Sequence, residues 1–128
     1  MILDTSAVVA IIFQEPDHEK ILRKLLAAPE VGIGAPSLSE TGTVVSARLG
    51  QDARPLLSRF LLEGEVETIP FGEAHFGVAV GAWLRFGRGR HPARLNFGDC
   101  MAYAAAQVAG RPLLCVGEDF ARTDLTLA

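Results

Sequence analysis

The chain has 128 residues, 49% of them apolar and 21% charged, with a formal charge of −3. That is enough chain for one globular domain with its own core, so residues 1–128 read as a single unit. The composition excludes a membrane-spanning helix, since no apolar run approaches the ~20 residues one needs, and two cysteines are too few for a disulfide scaffold.

Residues 1–3, MIL, read as a strand so short that it belongs in the middle of a sheet, and SAVVAIIF as a buried helix with Thr5 or Ser6 available as its cap. Asp4, between the two apolar segments, is neither the start of a secretory signal nor a cheap residue to bury, and a cytoplasmic location is expected. PDHEKILRKLLAA carries Ile21, Leu22, Leu25 and Leu26 at the spacing of an amphipathic helix. VGIGAP is a second short strand. SLSETGTVVSARL is then a helix capped from Ser37 or Ser39, with Glu40 in its first turn.

ARPLLSRFLLEG is a further helix stopped by Gly64, and VETIPF alternates as a strand does. GEAHFGVAVGAWLRF is helical by spacing despite its glycines, with Trp83 and Phe86 assigned to core or interface. NFGDCMAYAAAQVAG is an alanine-rich helix ended by Gly110, with Asp99 in its first turn. RPLLCVG is a buried strand followed by Asp119, and LTL a last edge strand. Short strands alternating with helices predict an α/β fold, a central parallel sheet flanked by helices on both faces.

Four acids share a context in this scheme. Asp4 and Asp119 follow strands, while Glu40 and Asp99 open the helices beyond strands. In an open parallel sheet those positions face one crevice, at the carboxyl ends of the strands. Each has an ordinary reading as a cap, a dipole partner or a turn residue, but Asp4 has the weakest such claim. Clustered carboxylates raise one another's pKa unless a cation sits among them, and an all-oxygen donor set selects Mg²⁺ or Mn²⁺ over zinc. One or two such ions activate water and stabilise the leaving oxygen in phosphodiester hydrolysis. The segment RFGRGRHPAR holds Arg85, Arg88, Arg90 and Arg94 with His91 and no acid, a docking strip for phosphates or simply a solvated loop. Cys100 and Cys115 lie in apolar contexts and read as reduced, buried thiols.

LDTSAVVAI, the glutamate of SLSE, FGDCMAYAAA and LLCVGEDFARTDL, in that order along essentially the whole chain, resemble the PIN-domain ribonucleases, specifically the VapC toxins of toxin–antitoxin pairs. The resemblance implies a PIN-like parallel sheet and an endoribonuclease site dependent on Mg²⁺ or Mn²⁺. In it Asp4, Glu40 and Asp99 match the family's three core acids and Asp119 the fourth, more variable one. It implies a homodimer held inactive by a VapB antitoxin whose tail lies in the acidic cleft. Thr5 and Ser6 are expected to orient a carboxylate through their hydroxyls, and the arginine loop to hold the phosphates flanking the cut. Two rivals remain. One is a phosphotransferase with Asp4 as nucleophile, disfavoured because Thr5 and Ser6 stand where a second acid is expected. The other is a non-catalytic interaction module whose acids bind a basic partner peptide.

Overall fold

A computed structural model describes residues 1–128. Its elements run β1 (Ile2–Leu3), α1 (Thr5–Ile12), α2 (His18–Ala27), β2 (Val31–Gly34), α3 (Ala35–Leu49), α4 (Arg54–Glu63), β3 (Val66–Ile69), α5 (Glu73–Phe86), α6 (Phe97–Ala109) and β4 (Leu113–Leu114), then a single 3₁₀ turn over Phe120–Arg122. The strands form one parallel sheet in the order β3-β2-β1-β4. The two-residue β1 lies inside the sheet, as its brevity predicts, and the expected last strand contributes only a bridge between Leu113 and Leu127.

Period-2 alternation divides the core. Ile2 and Leu113 pack on one side with α5 and α6, while Leu3 and Leu114 pack on the other with α1, α2 and α4. In VGIG, Val31 and Ile33 face the second layer and the glycines face the first. Gly34 is favoured by close approach: a Cβ there would stand 3.0 Å from the Cβ of Ala105. Ala102, Ala104, Ala105 and Ala106 are all buried, so glycine on the sheet and alanine on α6 let helix and sheet pack backbone to backbone.

Two helix starts differ in detail from the sequence reading. Asp4, not Thr5 or Ser6, caps α1, accepting the Ser6 N–H. α3 begins at Ala35, because Pro36 is tolerated inside a first turn. Ser37 and Ser39 therefore lie inside α3 rather than capping it, and Glu40 falls in its second turn. α6 begins as expected, with Asn96 as cap and Asp99 completing a reciprocal box.

The chain winds outward from β1 through β2 to β3, then crosses back to place β4 on β1's other side. The order therefore reverses between β1 and β4, at the carboxyl end where Asp4 stands. Such a reversal opens a crevice in parallel sheets.

Candidate functional site

Asp4 is only 5% exposed. Both its hydrogen bonds fall on Oδ2: the Ser6 hydroxyl donates at 2.5 Å and the Ser6 N–H at 3.1 Å. The same hydroxyl accepts the Val116 N–H at 2.9 Å, tying the loop after β4 to the carboxylate that follows β1. Ser6 thus fixes the Asp4 carboxylate through two donors. Thr5 does so only through its backbone N–H, which favours the charged form of Asp4. Its hydroxyl instead donates to the Ser37 carbonyl at 3.1 Å, beside Thr41, because α3 begins early enough to bring that carbonyl within reach.

Asp99 is half-buried at the start of α6. Its N–H donates to Asn96 Oδ1 at 2.8 Å and its Oδ2 accepts the Asn96 N–H at 3.0 Å. Its pKa is nevertheless pushed up to about 6, first by burial and then by the charges of Asp4, Asp119 and Glu40, against the Asn96 bond. Asp4 is raised in the same direction, chiefly by burial and further by Glu40, with Ser6 opposing. All four acids therefore act on one locality, and no cation figures among the charges that shift Asp4 or Asp99.

Glu40 reaches the site through a feature that sequence reasoning missed. Its carboxylate lies against the backbone of Gly98, so closely that any Cβ at residue 98 would collide with it. The only sequence signal was a glycine in a helical first turn, where it costs stability relative to alanine. Asp119 is exposed beyond β4, at the head of the 3₁₀ turn.

The donor chemistry fits a hard divalent cation: carboxylate oxygens only, uncompensated, one of them buried. No three His, Cys, Asp or Glu side chains form a cage set to hold a metal by themselves. Mg²⁺ does not need one, since it commonly keeps several waters and uses one or two carboxylates. Both thiols are pushed up to about 11, mainly by burial, so neither is a thiolate at neutral pH. Tyr103 donates to Asp124 at 2.6 Å and is buried, a packing role.

The arginine segment divides. Arg85 pairs with Asp124 at 3.3 Å, and Arg90 lies 4.4 Å over the Trp83 ring. Arg88 and Arg94 have no side-chain partner, and Arg94 holds a left-handed φ of 56°. His91 is turned inward, its ring edge-on to Phe86 and its Nδ1 accepting the Ala93 N–H.

The chain matches the PIN-domain family over residues 1–125. Ribonuclease VapC36 of Mycobacterium tuberculosis is 44% identical over 126 residues, covering 98% of this chain and 91% of that protein. Ribonuclease VapC of Mycolicibacterium smegmatis is 38% identical over 125 residues, covering 98% and 97%. Among solved structures, M. tuberculosis VapC20, a toxin that cleaves the sarcin–ricin loop, superposes with a TM-score of 0.79 at 21% identity over 99% of this chain and 97% of its own. The VapBC2 complex of Rickettsia felis bound to a promoter DNA fragment gives 0.75 at 19% identity, covering 99% and 96%.

Proposed function

From a chain that belongs to the PIN-domain family, we propose an endoribonuclease of the VapC kind, dependent on Mg²⁺ or Mn²⁺ and serving as the toxin of a toxin–antitoxin pair. The observation that carries this is the buried, uncompensated Asp4 beside an Asp99 whose pKa is pushed to about 6, with Glu40 and Asp119 adding to the same field. A protein tolerates such a site where something positive is to be bound.

Asp4 and Asp99 would hold the cation, with Glu40 and Asp119 contributing directly or through water. When bound, such a cation lowers the pKa of a water for attack on phosphorus and offsets charge on the leaving oxygen. The chain's own contribution is positional. Ser6 fixes the Asp4 carboxylate from two donors, Asn96 fixes Asp99, and Gly98 leaves room for Glu40. Once loaded, Asp99 stays ionised at neutral pH. Arg88 and Arg94, without side-chain partners, supply charge for flanking phosphates.

The same field favours a second reading that need not exclude the first, in which a basic segment of a VapB-type antitoxin occupies the acids and blocks them. The test is cleavage of total RNA by purified protein with Mn²⁺ or Mg²⁺, against EDTA and the Asp4→Asn and Asp99→Asn variants. Discrete fragments that vanish in all three controls are expected. Cutting that survives both variants refutes the site, and absence of both cutting and cation binding leaves the interaction module.

A further inference from the structure

The seam between α1 and α3 changes character along its length. α3 turns Ser37, Thr41 and Val45 inward, one turn apart, and α1 meets them with Thr5 and Val9. Away from the acids the contact is apolar, Val9 against Val45. At the end that carries Asp4 and Glu40 it is made of hydroxyls, although Thr41 is 0% exposed and Ser37 2%. Burying a hydroxyl costs free energy that valine or alanine would not. Ser37 Oγ recovers none of it, being buried without a partner.

The hydroxyls of Thr5 and Thr41 close a triangle on one acceptor. Thr5 donates to the Ser37 carbonyl at 3.1 Å, the Thr41 hydroxyl stands 2.7 Å from the same carbonyl, and the two hydroxyl oxygens are 3.2 Å apart. Thr41 alone would need no partner beyond its own helix, since a threonine readily bonds the carbonyl four residues back. The bond from Thr5 is different, because it crosses between helices and joins residues 32 apart in sequence. Thr5 directly follows Asp4, and Thr41 directly follows Glu40.

We propose that Thr41 is a positioning residue: with Thr5 and the Ser37 carbonyl it braces the acid-bearing end of α3 against the start of α1, and so fixes how far Glu40 stands from Asp4. The brace rests on the reading of the acids as a cation seat. Without a cation the two carboxylates repel, and Glu40 is among the charges that act on Asp4. An apolar contact slides under such a load, because burial has no direction. Hydrogen bonds weaken steeply once bent or stretched. The Gly98 backbone bounds Glu40 on its α6 side, so the triangle supplies the constraint that is missing towards α1. A fixed spacing serves a small cation best, since Mg²⁺ demands near-ideal octahedral geometry while Ca²⁺ accepts a flexible one.

Calorimetry of the full chain with Mg²⁺ and with Ca²⁺, beside urea unfolding in EDTA, tests the brace without RNA. Thr41→Val keeps the shape of the side chain and removes the hydroxyl; Mg²⁺ affinity should fall about 10-fold and Ca²⁺ affinity less than about 3-fold. Thr41→Ser, which restores the hydroxyl, should return Mg²⁺ affinity to within about 3-fold of wild type. Thr5→Val cuts the same triangle from α1 and should show the same loss, and the pair together should lose little more than either alone. Val45→Ala, farther along the same seam, should lower the urea midpoint with Mg²⁺ affinity unchanged. Mg²⁺ binding that survives both Thr41→Val and Thr5→Val, or Mg²⁺ and Ca²⁺ affinities that fall equally, overturns the brace and leaves the cation seat standing. A wild-type chain that binds neither cation overturns the seat, and the brace with it.

Discussion

The raised pKa of Asp99 makes the acid cluster measurable without any substrate. An ordinary aspartate ionises near 3.8, whereas Asp99 in the fold holds its proton to about 6. Between those values the folded chain is protonated there and the unfolded chain is not. Stability therefore falls as pH rises through that window and levels off above it. About two pKa units correspond to ~3 kcal/mol, and halving for the solvent that reaches a half-buried carboxylate leaves about 1.5 kcal/mol. Asp99→Asn removes the charge but keeps an oxygen for the Asn96 N–H, so the helix cap survives. Urea unfolding in EDTA should find the two proteins within a few tenths of a kcal/mol at pH 4. At pH 7.5 the variant should be ahead by about 1.5 kcal/mol, or roughly 5 °C in Tm. Adding Mg²⁺ at ten times its Kd should then return about 1.4 kcal/mol to the wild type and much less to the variant. A variant less stable than wild type at pH 7.5 in EDTA would show that the Asp99 charge is compensated, and the case for a cation seat would fall with it.

Three other substitutions probe the parts of the site separately. Ser6→Ala takes a hydroxyl from Asp4 and an acceptor from the Val116 N–H; it should weaken Mn²⁺ binding by about 10-fold or more in calorimetry and cost about 1–2 kcal/mol in urea. Gly98→Ala places a Cβ against the Glu40 carboxylate; RNA cleavage should fall at least about 10-fold, while the change in stability stays under about 1 kcal/mol because alanine's helix preference offsets the crowding. Arg88→Ala with Arg94→Ala should flatten the salt dependence of RNA binding by about 1.4 in log–log slope, at about 0.7 per phosphate contact on a single strand, with Mn²⁺ affinity unchanged; an unaltered slope removes these arginines from the RNA.

The fold was legible because each element carried its own local signal. The two-residue β1 reads as interior to a sheet because it is too short to stand alone, and the alanine-rich run with Asp99 in its first turn and Gly110 past its end reads as a helix. The errors sit where a local rule had two solutions. Pro36 reads equally well as the end of a strand or the inside of a first turn, and the second choice moved Glu40 one turn deeper. Thr5 and Ser6 are both hydroxyl residues next to Asp4, and only the position of the Ser37 carbonyl, 32 residues away in sequence, decides that Thr5 bonds elsewhere. The packing of Gly98 against Glu40 was illegible for the same reason. A glycine in a helix looks the same whether covered or bare, and coverage is settled by tertiary contacts alone.

Capping does not explain why residue 4 is an aspartate. Serine or asparagine would accept the Ser6 N–H and start α1 about as well, without burying a charge. Asp99 differs, since its carboxylate completes a reciprocal box with Asn96 and so has a structural use. If the acids served only the fold, the pressure at residue 4 would run toward a neutral cap and the burial penalty would vanish. The chain instead holds an Asp4 carboxylate with the Ser6 hydroxyl and N–H, with no arginine or lysine among the charges that act on it. The distinction is testable by pairing the two variants. Asp4→Asn should stabilise the metal-free chain at pH 7.5 with no loss at the helix start, and should abolish both the Mg²⁺-dependent gain in stability and RNA cleavage. An Asp4→Asn chain that unfolds more easily would return Asp4 to a purely structural role.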